Sequence, residues 1–439
     1  MGSVGSAMPV PQITLLVTLT GRDRPGVTSR LFSALSAHRL SVLDVEQVVI
    51  HGRLVLGVLL CGDVAPDLTA IHRGVTHLAA DLGMDVEITL GTGELPRRRG
   101  SLHVTVLGSP LTPAVIAAIA GRIAASGANI DRIGRLAHGP VTCIEFDISG
   151  AQPEPLRAAL ASDSVALGVD VAVQRGGLHR RAMRLVVMDV DSTLLQNEVI
   201  DLLAAHAGRE ADVAALTAAA MRGEVDFATA LRQRVRQLGG LDAAVIGKVL
   251  TEVRLAPGAR TLIRTLHRLG YRCGIVSGGF TQFTDWLAAD LALDYAAANT
   301  LEIADGKLTG QITGPLIDRP GKARALREFA ADAGVALSQT VAVGDGANDL
   351  DMIEAAGLGV AFNAKPAVRD AADASLSVPQ LDAILYLLGI SRDDVEAADA
   401  EDAQDAARAQ DTAPAQDAAL AAGGRGAALA AGGPGAASG

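Results

Sequence analysis

The chain is predicted to be an α/β protein, with a doubly wound parallel sheet and an inserted helical cap in its second half and two smaller α+β units before it. Three observations predict this. Residues 185–193, 272–279 and 340–351 are short apolar runs that end in acids, serine or glycines, as buried parallel strands read when they deliver chemistry at their carboxyl ends. Residues 199–253 show mostly helical spacing, and about eighty residues separate the first two runs, too many for a simple crossover. Ahead of them, one strand and helix order occurs twice.

The first copy, residues 13–60, runs as an apolar strand, then G-R-D-R-P-G-V, then an amphipathic helix through His38 and strands at 45–50 and 54–60. The second gives a strand at 102–107, a helix at 113–126 and strands at 130–136 and 141–148. With closing strands at 86–90 and 169–173, each copy fits a βαββαβ unit. The pair resembles tandem ferredoxin-like ACT domains, expected at 12–95 and 100–176. That resemblance implies binding of a small amino acid at the loop between the first strand and helix, across a homodimer interface. Gly26, in Asp23-Arg24-Pro25-Gly26, and Gly108, in Gly108-Ser109-Pro110, are the expected effector contacts. The second loop departs from D-x-P-G. Read without the resemblance, these glycines and prolines make tight turns, and the repeat serves as a dimerisation scaffold.

Residues 185–193 read L-V-V-M-D-V-D-S-T, and strand alternation turns Asp189 and Asp191 to the same face. One carboxylate can attack while the other handles protons. Residues 272–279 read R-C-G-I-V-S-G-G, where the Ser277 hydroxyl and the bare amides of Gly278 and Gly279 suit phosphate oxygens. Pro320-Gly321-Lys322 opens a helical pattern and puts an ammonium at its entrance. Residues 340–351 read T-V-A-V-G-D-G-A-N-D-L-D; the oxygens of Asp345 and Asp349, four apart, suit magnesium. Each motif alone also reads as a turn or a solvated face. Their order at successive strand ends argues for one site.

Asp189-x-Asp191-Ser192-Thr193, Ser277-Gly278-Gly279, Lys322 and Gly344-Asp345-Gly346-x-Asn348-Asp349 resemble the four motifs of the haloacid dehalogenase superfamily. The fuller pattern through Glu198, with M-R-G-E-V-D-F at 221–227 and Arg234, resembles the phosphoserine phosphatases within it. The likeness covers about 183–388, and a domain at 183–392 is expected. It implies Mg2+-dependent hydrolysis of O-phospho-L-serine to L-serine, the last step of serine biosynthesis. Asp189 is then the nucleophile, Asp191 the proton donor and acceptor, and Lys322 a charge-neutralising group. The metal is held by Asp189, the Asp191 backbone carbonyl and Asp345, with Asp349 orienting its surroundings and Asn348 approaching the substrate.

The charges alone support this chemistry. A phosphate monoester dianion repels an attacking carboxylate, so a metal and a lysine must offset the repulsion. An aspartyl phosphate divides hydrolysis into two displacements. Phosphoserine also carries an ammonium and a carboxylate, roles that fit Glu198 and Arg234, with Met221 and Phe227 as apolar walls. Equally, the charged pair reads as surface helix residues and the apolar pair as core of a small helical bundle.

Composition fits about three domains: 439 residues, 49% hydrophobic, with aromatics at only 3%, so Ala, Leu and Val carry the packing. A net charge of -11 argues against a nucleic-acid partner. Cys61, Cys143 and Cys273 sit in apolar runs and read as buried free thiols. No apolar run has membrane-spanning length and the start lacks a leader pattern, so a cytoplasmic enzyme without a membrane partner is expected. From 395 the chain turns to Ala, Asp, Gln and Gly, and apart from a short helix a disordered tail to 439 is expected. Product chemistry suggests L-serine as the effector. Two rivals stay open: superfamily chemistry on another small phosphomonoester or with transfer to another acceptor, and an amino-acid sensor with an inert phosphatase-like domain.

Overall fold

The computed structural model describes residues 13–62, 67–92, 102–221 and 224–404. It divides into two compact units, Met1–Arg97 and Arg98–Gly439. In the first, β1 (Ile13–Arg22), α1 (Val27–Ser36), β2 (Leu40–Ile50), β3 (Arg53–Gly62), α2 (Leu68–Leu82) and β4 (Asp85–Thr92) form an antiparallel sheet of order β2-β3-β1-β4. Alternation places Leu15, Val17 and Leu19 in one core with Leu31, Leu35, Ile71 and Val75 of the helices. Asp67 caps α2 by accepting from Ala70 N, and Gly83 ends it in the left-handed region. The edge strand β2 leaves Val42, Val45, Val48, Val49 and Ile50 exposed.

The second unit begins with β5 (Leu102–Gly108), α3 (Pro113–Ala125), β6 (Asn129–Ala137), β7 (Thr142–Ser149), α4 (Pro153–Leu167) and β8 (Asp170–Arg175), a sheet of order β6-β7-β5-β8. A short α5 (Leu178–Arg181) leads to β9 (Leu185–Met188). Then come the cap helices α6 (Val199–Ala207), α7 (Glu210–Met221), α8 (Phe227–Arg236) and α9 (Val245–Glu252). Both cap linkers meet: Gln196 N donates to Arg254 O at 2.9 Å, and Leu195 bridges Leu255.

The rest alternates as α10 (Ala259–Arg268), β10 (Arg272–Phe280), α11 (Thr281–Leu291), β11 (Tyr295–Ala304), β12 (Lys307–Thr313), α12 (Arg319–Asp332), β13 (Thr340–Gly344), α13 (Leu350–Ala355), β14 (Leu358–Phe362), α14 (Pro366–Ala371), β15 (Ala374–Leu376) and α15 (Ile384–Leu387). These strands and β9 form a seven-stranded sheet of order β12-β11-β10-β9-β13-β14-β15. It is parallel except where β12 runs antiparallel to β11. β9 is fully buried and lies between β10 and β13, so the carboxyl ends of these three strands share one edge of the sheet.

The β5–β8 sheet and the seven-stranded sheet share a core. Leu107, Cys143 and Ala172 pack in the same cluster as Val186, Tyr386 and Leu388. Arg157 pairs with Asp373 at 2.8 Å, Ser377 N donates to Asp170 at 2.6 Å, and Arg180 pairs with Glu145 while donating to the carbonyls of Tyr386 and Leu387.

The stretch from 395, where a short helix was expected within the tail, is ordered as far as it is described. Residues 392–404 are helical, Val395 is buried, and Asp399 and Asp402 pair with Arg264 and Arg268 of α10. Alanine favours helix, and the acids three apart face an arginine row, which orders what composition reads as tail. The expectation for 405–439 lies outside the described residues. All three cysteines are buried and free. No helix among the described residues is long and apolar enough to cross a membrane.

Candidate active site

At the end of β9 the chain turns abruptly. Asp191 is extended and Ser192 is left-handed, at φ 58° and ψ 3°. Asp189 is buried, and its Oδ1 accepts from Val190 N at 2.7 Å. Lys322, in the first turn of α12, is 1% exposed, with Nζ at 2.6 Å from Asp189 Oδ1 and 2.7 Å from Asp349 Oδ1. The entrance of α12 is fixed by Asp318, which accepts from Gly321 N. Asp349 is fully buried and also accepts from Gly346 N at 3.0 Å. A Cβ on Gly344 would lie 2.4 Å from the Asp349 carboxyl carbon, so no larger residue fits there.

Asp191 is tied on both oxygens: Val199 N donates to Oδ1 at 2.8 Å and the Ser277 hydroxyl to Oδ2 at 3.2 Å. Ser277 Oγ in turn accepts from Gly279 N at 2.7 Å. Thr193 donates to Asp345 at 3.1 Å. The acids outnumber the one buried ammonium, and their protonation reflects it. Burial and then Asp349 raise Asp189 well above the usual carboxylate range. Burial and then Glu198 lift Asp191 to about 6, and burial and then Asp349 lift Asp345 to about 6. Burial would lower Lys322, but Asp189 and Asp349 hold its ammonium above the ordinary value.

Carboxylate oxygens of Asp189, Asp345 and Asp349 all lie within 4.8 Å of one another. A hard oxygen donor set with excess negative charge fits a divalent cation such as magnesium. His103, Glu145 and Asp147 on the β5–β8 sheet form a second such group.

A cavity of about 850 Å3 opens over these acids beneath the cap. Of the predicted residues, Asp189, Asp191, Glu198, Phe227, Arg234, Gly278, Gly279, Asp345 and Asn348 line it; Ser277 and Lys322 sit just behind. The Met221 side chain lies outside the described residues. Phe227 rests on the serine-glycine loop, because a Cβ on Gly278 would come 3.1 Å from its Cζ. Burial lowers the Arg234 pKa, against opposing pulls from Glu198 and Asp201, and its Nε has no hydrogen-bond partner among the described residues.

Sequence reasoning missed Asp201, Arg319 and Lys365, which line the same cavity, and Asn299. Asn299 is 1% exposed; it donates to Gly278 O at 2.9 Å and accepts from Ile317 N, fixing the loop. A lone amide inside the apolar run Y-A-A-A-N-T was the available signal. The two effector candidates lie far apart in character. Gly26 is left-handed, at φ 91°, with nothing among the described residues within 4 Å of a built Cβ. Above Gly108 the space is filled by Leu111 and Val169, so ligand contact there requires Leu111 to move.

Comparison with known proteins agrees with this architecture. The haloacid dehalogenase-like hydrolase family matches residues 186–354, and ACT domain families match 13–89 and 101–174. The chain is 62% identical to phosphoserine phosphatase of Streptomyces coelicolor over 388 residues, covering 88% of this chain and 94% of the relative. It is 53% identical to phosphoserine phosphatase SerB2 of Mycobacterium tuberculosis over 397 residues, covering 89% and 97%. The crystal structure of a probable phosphoserine phosphatase from Vibrio cholerae superposes with a TM-score of 0.54 at 36% identity, covering 68% of this chain and 88% of that one. Two ACT units, three motifs at adjoining strand ends with Lys322 at a helix start beside them, and this identity along nearly the whole chain place it in the phosphoserine phosphatase family of haloacid dehalogenase-like hydrolases.

Proposed function

We propose that this chain hydrolyses O-phospho-L-serine to L-serine and phosphate through a phosphoryl group carried on Asp189, the last step of serine biosynthesis. The observation that carries the reading is one cavity: Asp189 and Asp191 at its floor with Lys322 just behind, and the opposite charges Glu198 and Arg234 on its wall. The first relatives compared are phosphoserine phosphatases, which supports the same substrate.

Asp189, Asp345 and the Asp191 carbonyl would hold Mg2+, with Asp349 fixing the surroundings. When bound, the cation supplies positive charge against the phosphate dianion. Glu198 receives the substrate ammonium and Arg234 its carboxylate, while Phe227 closes the apolar side. Lys322, Ser277 and the amides of Gly278 and Gly279 balance the phosphate oxygens, with Asn348 beside them. An Asp189 oxygen attacks phosphorus as the bond to the serine oxygen breaks, and protonated Asp191 gives its proton to that oxygen. Water then attacks the same phosphorus, Asp191 takes its proton, and the Asp189 carboxylate leaves. Val199 N and Ser277 hold Asp191 in place for both transfers.

L-serine binding near Gly26, with Gly108 as a weaker candidate, would regulate turnover. A homodimer through the first unit is supported by its exposed apolar edge strand β2. Cytoplasmic residence follows from the biosynthetic role. The experiment is phosphate release from L-phosphoserine, phosphothreonine and an aryl phosphate, with and without Mg2+, beside Asp189→Asn. Phosphoserine preference that needs Mg2+ and Asp189 is the expected result. Aryl phosphate hydrolysis alone would overturn the substrate, and no hydrolysis anywhere would favour a sensor.

A further inference from the structure

The turn after β9 holds a serine in a conformation that serine seldom adopts. Ser192 has φ 58° and ψ 3°, where an L side chain is strained and glycine is not. Its hydroxyl donates to Glu198 Oε1 at 2.8 Å, across the loop that joins β9 to the cap. Glycine would remove the strain and also remove this donor. Glu198 stands at the start of α6, exposed to the cavity, and its side chain makes no hydrogen bond to the amides of that helix. An exposed glutamate samples several rotamers, so a fixed donor limits the freedom it must lose on meeting a ligand.

We propose that Ser192 is a positioning residue that presets the Glu198 carboxylate for the ammonium of the substrate, and so contributes to specificity without touching the substrate itself. The inference rests on the phosphoserine reading above. The neighbouring connections separate the roles within this loop: Asp191 is held by Val199 N and Ser277, Thr193 holds Asp345, and Ser192 holds Glu198. Ser192 and Thr193 therefore each hold one carboxylate of the site, directly after an aspartate that is itself held from elsewhere.

The test compares L-phosphoserine with an aryl phosphate that lacks an ammonium, in the full chain with Mg2+. Ser192→Gly keeps the left-handed turn without strain, and Ser192→Ala removes the same hydroxyl while keeping a Cβ. For both variants kcat/KM on phosphoserine should fall about tenfold, mostly through KM, as expected for a lost hydrogen bond to a charged group. The loss on the aryl phosphate should be several times smaller. In the Glu198→Gln background, Ser192→Gly should add little further loss on phosphoserine. Equal losses on both substrates, or full additivity with Glu198→Gln, would overturn the role of Ser192. An unmodified chain without preference for phosphoserine would overturn the substrate reading instead.

Discussion

Lys322 Nζ lies 2.6 Å from Asp189 Oδ1, and both side chains are buried. The proposed nucleophile is thus already paired, and the same ammonium reaches Asp349 at 2.7 Å. Breaking a buried pair from one side leaves an uncompensated charge. Lys322→Met should therefore abolish phosphate release and lower unfolding stability by about 3–5 kcal/mol in chemical denaturation. Lys322→Met with Asp349→Asn should recover part of that stability and none of the activity.

Asp189→Asn removes the attacking oxygen while preserving shape. Turnover of phosphoserine should drop by at least about 10³-fold, with no phosphorylated protein trapped on acid quench. A variant that still accumulates phosphoprotein would place the nucleophile elsewhere.

Magnesium should raise the melting temperature by mass action, and Asp345→Asn should weaken that shift, since Asp345 is one of three carboxylates whose oxygens lie within 4.8 Å of one another. Titration of Mg2+ against the melting temperature reads the affinity without any turnover. An unchanged titration would remove Asp345 from the metal site.

Arg234 is half-buried, with its Nε unpartnered among the described residues, beside Glu198 and Asp201. Arg234→Ala should raise KM for phosphoserine about 10–100-fold and affect an aryl phosphate much less. Equal effects on both would make Arg234 a structural residue of the cap.

Asp170 accepts from Ser377 N, yet burial raises its pKa above the ordinary carboxylate value. A carboxyl whose folded pKa lies above its unfolded one favours folding in acid and loses that contribution as pH rises through the folded value. Asp170→Asn retains an acceptor for Ser377 N. It should melt at or above the parent temperature at neutral pH, with the difference shrinking as pH falls through the folded value and gone below the unfolded carboxylate value. A lower melting temperature across the whole range would refute the burial argument.

The strand-end acids were legible because side chains alternate along β9 and β13: Asp189, Asp191 and Asp345 follow apolar runs that can only be buried strands. Lys322 was legible as the opening of a helix after Pro320, while its pairing with Asp189 and Asp349 depends on tertiary placement. Asn299 escaped because one amide in a strand carries no period, and its bonds to Gly278 and Ile317 depend on tertiary placement. A short helix was expected in this stretch, but the docking of 392–404 escaped for a related reason. Its acids look solvating until Arg264 and Arg268, more than a hundred residues earlier, are seen beneath them.

The contact between β8 and β15 makes the second ACT copy part of the enzyme's foundation. Without it, the cluster that holds Val186, Tyr386 and Leu388 would lose Leu107, Cys143 and Ala172, and Ser377 N would lose its acceptor Asp170. The phosphatase portion cut free after β8 would therefore expose a sticky seam and tend to self-associate, so this half of the repeat behaves as a wall of the catalytic building, inseparable from it, whatever signal the other half receives.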